Sequence, residues 1–181
     1  MEPAVRFKCP SFKDVWSPYL KSKKTLNVRY GEEGDYFRGI SYYLVPKDIE
    51  AKILKVLPES LRNEFEVFVM VINAHEIPPH IDSNSRATIN FYMKTGAGRT
   101  SFYKETEPSE KKKIKNQTDG YILDTSCLQE TFSFVAEEDE AWILNTKVPH
   151  SVKCDTMRVA FVLQCFKHSY EEVISFLQKK D

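Results

Sequence analysis

The chain has no net charge: 26 lysines and arginines balance 26 aspartates and glutamates over 181 residues. A protein that grips a phosphate backbone carries a clear basic excess, so nucleic acid is not an expected partner. Long hydrophobic runs are missing too. The longest, Val67 to Ile72, is far too short to cross a bilayer, so no membrane contact is expected. Around Glu2, Arg6, Lys8, Lys13 and Asp14 no apolar stretch resembles a secretory signal. Cysteine is scarce. Cys9, Cys127, Cys154 and Cys165 contain no C-x-x-C pair, which excludes a zinc ribbon or a thioredoxin-like motif. They are also too few for a disulfide scaffold, so reduced thiols and a cytoplasmic location are expected. There is no glycine-rich phosphate loop and no G-x-S-x-G nucleophile elbow.

What remains is a composition able to build a core, with 41 % hydrophobic and 29 % charged residues, at a length that suits one domain spanning 1–181. Phe12, Trp16 and Tyr19 are spaced for one face of a short helix. Leu26 to Tyr43, cut by Gly31, Gly34 and Gly39, reads as short strands and turns. Pro46 to Leu57 reads as a helix: Asp48 and Glu50 suit its positive end, and Ile49, Ile53, Leu54 and Leu57 recur at helical spacing. The period then changes to two. Phe65 to Asn73 reads as a buried strand. In Arg86 to Lys94, Ala87, Ile89, Phe91 and Met93 share one face, while Arg86, Thr88, Asn90, Tyr92 and Lys94 share a polar one that fits solvent or a cavity lining. Thr100–Lys104, Thr131–Ala136, Ala141–Asn145 and Arg158–Phe166 are further strands. Lys104 to Gly120, around three consecutive lysines, reads as a long mobile loop, a solvated insertion rather than a lid or docking arm. Ser169 to Lys179 reads as a closing helix with Tyr170, Val173, Ile174 and Leu177 as its apolar stripe. The sum is a mainly β domain with flanking α-helices, in the form of a sandwich, barrel or jelly roll. Its core spans about 65–166, with strands and a helix in 1–64 and a helix over 169–180.

Only four histidines are present. In His80-Ile81-Asp82 an extended backbone turns both side chains to one face. His150 follows the strand Trp142 to Asn145. Two imidazoles and one carboxylate form a facial triad with three open positions, the geometry of non-haem Fe(II) oxygenases. Arg158, eight residues beyond His150, opens a hydrophobic strand. A short turn would return that strand beside the histidine strand, placing a guanidinium suited to a carboxylate near the metal. His75 with Glu76 and His80 is not a zinc-protease motif: the histidines are five apart, and Pro78 and Pro79 forbid a helix. His75 and His168 are read as structural or surface residues.

These pieces resemble the Fe(II)/2-oxoglutarate-dependent dioxygenases, whose fold is the double-stranded β-helix, or jelly roll. The likeness rests on His80-Ile81-Asp82, the strand Arg86 to Met93, the run Glu140 to Asn145 leading to Pro149-His150-Ser151-Val152, and Arg158. It covers about residues 65–166 and looks nearest to the prolyl-hydroxylase-like and aspartyl/asparaginyl-hydroxylase-like branches. The resemblance implies that His80, Asp82 and His150 bind Fe(II) and that Arg158 pairs with the distal carboxylate of 2-oxoglutarate. Tyr92 would place its hydroxyl on that carboxylate, Asn90 would line the cosubstrate pocket, Arg86 would meet substrate or cosubstrate, and Asn73 is a weaker pocket candidate. It further implies that O2 and 2-oxoglutarate are consumed to hydroxylate an unactivated C–H bond, of a small molecule such as an amino acid or of a peptidyl residue. One departure stands out. Many members carry a serine or threonine two residues after the arginine; here that residue is Ala160, so Tyr92 or Thr88 must supply the hydroxyl. Two other readings are consistent with the residues: a cupin-like metal-binding jelly roll without oxygenase activity, and an interaction module that contacts its partner through Lys104–Gly120.

Overall fold

The structure, a computed structural model, describes residues 1–12, 15, 25–30, 35–73, 75–115 and 120–178. Trp16 and Tyr19 of the expected first helix lie outside them. The described strands are β1 (Ala4–Phe7), β2 (Thr25–Tyr30), β3 (Asp35–Leu44), β4 (Phe65–Ile72), β5 (Glu76–Asp82), β6 (Ala87–Lys94), β7 (Arg99–Glu105), β8 (Lys111–Lys115), β9 (Gly120–Leu123), β10 (Leu128–Val135), β11 (Ala141–Leu144), β12 (His150–Lys153) and β13 (Arg158–Cys165). The helices are α1 (Lys47–Leu54) and α2 (Tyr170–Gln178). Helix α1 begins after Pro46 with Asp48 and Glu50 in its first turn, and buries Ile49 and Ile53. Helix α2 opens on a capping box: the Glu172 amide donates to Ser169 Oγ (3.2 Å) and the Ser169 amide to Glu172 Oε2 (2.7 Å). No described helix is long and apolar enough to cross a membrane.

The strands form one antiparallel ladder rolled into two facing walls. The first wall runs β1-β11-β6-β13-β4-β3-β2 and the second β8-β9-β5-β12-β7-β10. They join along one side, where Arg29 pairs with Lys115 and Tyr30 with Ile114. This is the jelly roll, mainly β with flanking helices. In the first wall the two-residue period sorts side chains cleanly. Val159, Phe161, Leu163 and Cys165 of β13, and Ala87, Ile89, Phe91 and Met93 of β6, pack in the core shared with α1 and α2. The alternate residues face the second wall. Covering both faces explains why every residue of β13 is buried and why it reads as a nearly continuous apolar run.

Two expectations are corrected. Lys104–Gly120 is not one long loop: β7 runs to Glu105, and the lysine run is strand β8, paired with β9 (Lys111 with Leu123, Lys113 with Tyr121). Charge reports that Lys111, Lys112 and Lys113 are exposed; it says nothing about whether their backbone is bonded to a neighbouring strand. Nor does Arg158 return beside the histidine strand. Strand β12 pairs with β5 and β7, whereas β13 lies between β4 and β6 in the opposite wall. The chain crosses the roll between His150 and Arg158, so the two groups face each other across the interior.

Candidate metal centre

Strands β5 and β12 are antiparallel neighbours in which His80 pairs with His150. Paired residues point to the same face, so the two rings meet with centroids 4.2 Å apart. Asp82, two residues after His80, joins them: His80 Nε2 lies 3.9 Å from Asp82 Oδ1, and the potential ligand atoms of the three residues all lie within 4.8 Å of one another. Each imidazole is oriented from behind. Nδ1 of His80 lies 2.9 Å from the Pro78 carbonyl, and Nδ1 of His150 lies 2.9 Å from the Val148 carbonyl. A carbonyl oxygen only accepts, so Nδ1 carries the proton in both rings and Nε2 is left as the nitrogen able to take a metal. The Phe102 ring packs against His150 at 5.8 Å.

The two ligand-bearing segments are also tied to each other. The Asp82 amide donates to the Thr146 carbonyl (3.1 Å), Thr146 Oγ1 donates to the Ser85 carbonyl (2.9 Å), and Lys147 Nζ donates to the carbonyls of Asp82 (2.9 Å) and Ser83. The chain on either side of the carboxylate is thereby held to the turn that leads into His150.

Burial sets the protonation of the metal-free trio. It pushes the Asp82 carboxyl up to about 7, against the pull of Lys147. Burial, and then the neighbouring His80, bring His150 down to about 3. His80 is lowered chiefly by burial, against the carbonyls of Pro78 and His150. Both shifts favour neutral imidazoles able to act as ligands, and Asp82 is the member of the trio that titrates near neutral pH. Metal affinity is expected to be level above pH 7, with no proton released on binding, and to fall about tenfold per pH unit below it, where one proton is released per ion bound. Calorimetric titration of Mn(II) in buffers of different ionisation enthalpy measures both quantities.

Across a cavity of about 750 Å³, counted with its open mouth, stands Arg158. It is only 1 % exposed. Its Nη1 donates to Thr100 Oγ1 of the second wall (3.1 Å), and its guanidinium carbon sits 4.3 Å from the Tyr92 ring centre. The Cys154 thiol is a further hydrogen-bond neighbour. Nε and Nη2, however, are buried with no partner among the described residues. Gly98 permits this arrangement: a Cβ there would lie 2.9 Å from Cys154 Sγ, 3.2 Å from Arg158 Nη1 and 2.7 Å from the Thr95 carbonyl. Beside Arg158, Asn90 Nδ2 donates to the Tyr92 hydroxyl (3.3 Å), and Asn90 Oδ1 is buried without a partner.

His80, Asp82, His150, Arg158, Tyr92, Asn90 and Thr88 thus all line one cavity. Arg86, Asn73 and His75 do not: each is exposed and outside the lining. The alternation that carries Arg86 toward the inner face continues past the end of β6, so it stands at the rim. Thr100 and Tyr42 line the cavity and were not expected. Thr100 is the hydroxyl on Arg158 that Ala160 cannot provide, and it comes from the other wall. The inward alternation of Thr100 and Phe102 on β7 was its only signal. Tyr42, its phenol raised chiefly by burial and then by Asp82, comes from the glycine-interrupted segment, where no period is legible.

No protein-family model matches the sequence, and no curated protein matches it. Solved structures do. The non-heme alpha ketoglutarate dependent epimerase SnoN from nogalamycin biosynthesis is 10 % identical, with a TM-score of 0.56 over 90 % of this chain and 78 % of that one. SnoN in complex with Fe3+, alpha ketoglutarate and nogalamycin RO gives 9 % identity and a TM-score of 0.56, over 90 % and 79 %. The chain has the jelly-roll fold of these proteins. The E. coli protein ycfD shares the fold at 10 % identity and a TM-score of 0.53, over 96 % of this chain; the match spans about half of ycfD, 52 %.

Proposed function

We propose that the protein is an Fe(II)- and 2-oxoglutarate-dependent oxygenase that uses O2 to hydroxylate an unactivated C–H bond of a small molecule or a peptidyl residue, with residues 1–181 acting as one domain. The observation that carries this reading is the free edge of Arg158. Nε and Nη2 form the side of a guanidinium that presents two parallel N–H donors, the complement of a carboxylate. Leaving both buried and unpaired is costly, and a ligand carboxylate in the shared cavity relieves that cost. A metal-binding jelly roll with no acid cosubstrate leaves this edge unexplained.

The donor set fits the cofactors. His80, Asp82 and His150 would hold Fe(II) by two imidazoles and one carboxylate, with positions left open for further ligands. When bound, iron and 2-oxoglutarate supply the oxidising chemistry with O2. The chain's own residues position and shield. Arg158 takes the distal carboxylate. Tyr92, whose hydroxyl oxygen accepts from Asn90, has its own proton to donate to the same group. Thr100 holds the guanidinium in place, Gly98 leaves room for it, and burial strengthens the charge-assisted bonds. That SnoN is described with iron and alpha ketoglutarate on the same fold supports the reading.

Anaerobic titration with Fe(II) and then 2-oxoglutarate tests it. A weak visible metal-to-ligand charge-transfer band is expected only when both are present. Stoichiometric iron binding without such a band would overturn the cosubstrate assignment and favour a cupin-like metal protein.

A further inference from the structure

Beside the cavity near Asp82, outside its lining, stand two exposed cations that the iron and 2-oxoglutarate reading leaves unbalanced, Arg86 and Lys147. Arg86 stands one step beyond Thr88 in the inward alternation of Thr88, Asn90 and Tyr92, at the rim and exposed. Among the described residues it makes no ion pair or side-chain hydrogen bond. Lys147 is its neighbour. Thr146 Oγ1 donates to the Ser85 carbonyl, which sets the residue before Lys147 against the residue before Arg86, and the Lys147 ammonium feels both the Asp82 carboxylate and the Arg86 charge. Its Nζ is anchored on the Asp82 and Ser83 carbonyls, so this cation is held at the mouth and does not sweep through solvent.

Charge accounting separates this pair from the centre itself. A divalent ion, the Asp82 carboxylate, the two carboxylates of 2-oxoglutarate and the Arg158 guanidinium together cancel. Arg86 and Lys147 then face the mouth with no counter-ion, in a chain whose total charge is zero. Two like charges beside one another at the rim of a cleft raise the local positive potential and draw in an anion. The cavity lining carries the neutral polar groups Thr88, Thr146, Gln164 and Asn90 among apolar side chains such as Ile72, Leu144 and Val162. Asn90 Oδ1 is buried there as an unpartnered acceptor.

Resting on the proposed oxygenase reading, we infer that the substrate is a small anion, whose carboxylate or phosphate is held at the rim by Arg86 and Lys147 while the rest of the molecule reaches inward past Thr88 and Gln164. An N–H or O–H on the inner part of the molecule completes Asn90 Oδ1. Arg86 is then a substrate-selecting residue rather than a cosubstrate ligand.

The test uses the Zn(II)- and 2-oxoglutarate-loaded protein, which cannot turn over, and ligand-observed NMR with matched pairs of probes. Small carboxylic acids are compared with their methyl esters, and phosphate monoesters with their parent alcohols, so the two sources of negative charge are read separately. In at least one class the charged member is expected to bind about tenfold or more tighter than its neutral partner, and to weaken as salt is added. Arg86→Gln should erase that advantage and Arg86→Lys should restore part of it. Equal binding of charged and neutral members, charged binding that survives Arg86→Gln, or no binding by any anion of the panel would overturn the inference. So would a parallel loss of 2-oxoglutarate affinity in Arg86→Gln, which would return Arg86 to the cosubstrate. Failure of the wild-type protein to take up 2-oxoglutarate, measured by calorimetry before any probe is added, would instead sink the oxygenase reading on which the inference rests.

Discussion

Asp82→Ala is expected to lower metal affinity more than about a hundredfold and to abolish metal-dependent consumption of 2-oxoglutarate. Asp82 is the only anionic ligand of the trio, and removing even groups that merely support a ligand costs about 10–100-fold. Loss by unfolding is separable from loss of the ligand because the two have opposite signs here. The folded carboxyl sits at about 7, above its ordinary value, so the metal-free fold holds this proton more tightly than the unfolded chain does. Its contribution therefore favours folding at low pH and is lost as pH rises through 7. At pH 8 the ionised, buried carboxylate burdens the metal-free protein, and the near-isosteric Asp82→Asn relieves it by on the order of 2 kcal/mol. Chelated Asp82→Asn should melt at or above the wild-type temperature at pH 8, with the advantage shrinking by pH 5. Wild-type turnover of 2-oxoglutarate in Asp82→Ala would show that the triad is wrongly assigned.

Arg158→Met should separate cosubstrate binding from metal binding. Removing one member of a buried charge pair typically costs about 2–5 kcal/mol, so 2-oxoglutarate affinity should fall about thirtyfold to several thousandfold. Fe(II) affinity should stay near wild type, since Arg158 is on the wall opposite the ligands. The fold should not suffer in proportion to the size of the residue removed. Arg158 bonds to Thr100 and the Cys154 thiol, while Nε and Nη2 are buried without partners among the described residues, and a methionine side chain deletes those unpaired donors while filling much of the same volume. An unchanged or higher melting temperature of the metal-free variant, together with lost 2-oxoglutarate binding, is the expected signature. Arg158→Lys should rescue poorly, because a point charge lacks the two parallel donors. Wild-type 2-oxoglutarate affinity in Arg158→Met would strip the cosubstrate role from Arg158 and Tyr92 together.

Two of the candidate ligands were legible as a pair in the sequence because a short-range rule relates them. Two residues apart on a strand means one face, which joined His80 to Asp82 and aligned Thr88, Asn90 and Tyr92 along one surface. Arg158 was legible as a cavity residue but not by its route. The expected short turn would have put it beside His150, whereas the chain crosses to the other wall, where β13 pairs with β4 and β6. Thr100 is not legible in the sequence because the hydroxyl on Arg158 comes from β7 in the other wall, not from two residues along β13. The lysine run of β8 was misread because side-chain charge and backbone pairing are independent.

Periodicity in this chain determined which residues share a face, where α1 and α2 form, and that the core is β. Those properties follow from local geometry and from the free energy of burying alternate side chains, and need only near neighbours in sequence. The tertiary structure decided which faces meet. It set His80 against His150 across a strand pair and Thr100 against Arg158 across the roll. It left Nε and Nη2 of that arginine unpaired in the interior, and moved Arg86 from the pocket to its rim. Such pairings join residues far apart in the chain through the register of the ladder and the closure of two walls, and no local pattern carries that information.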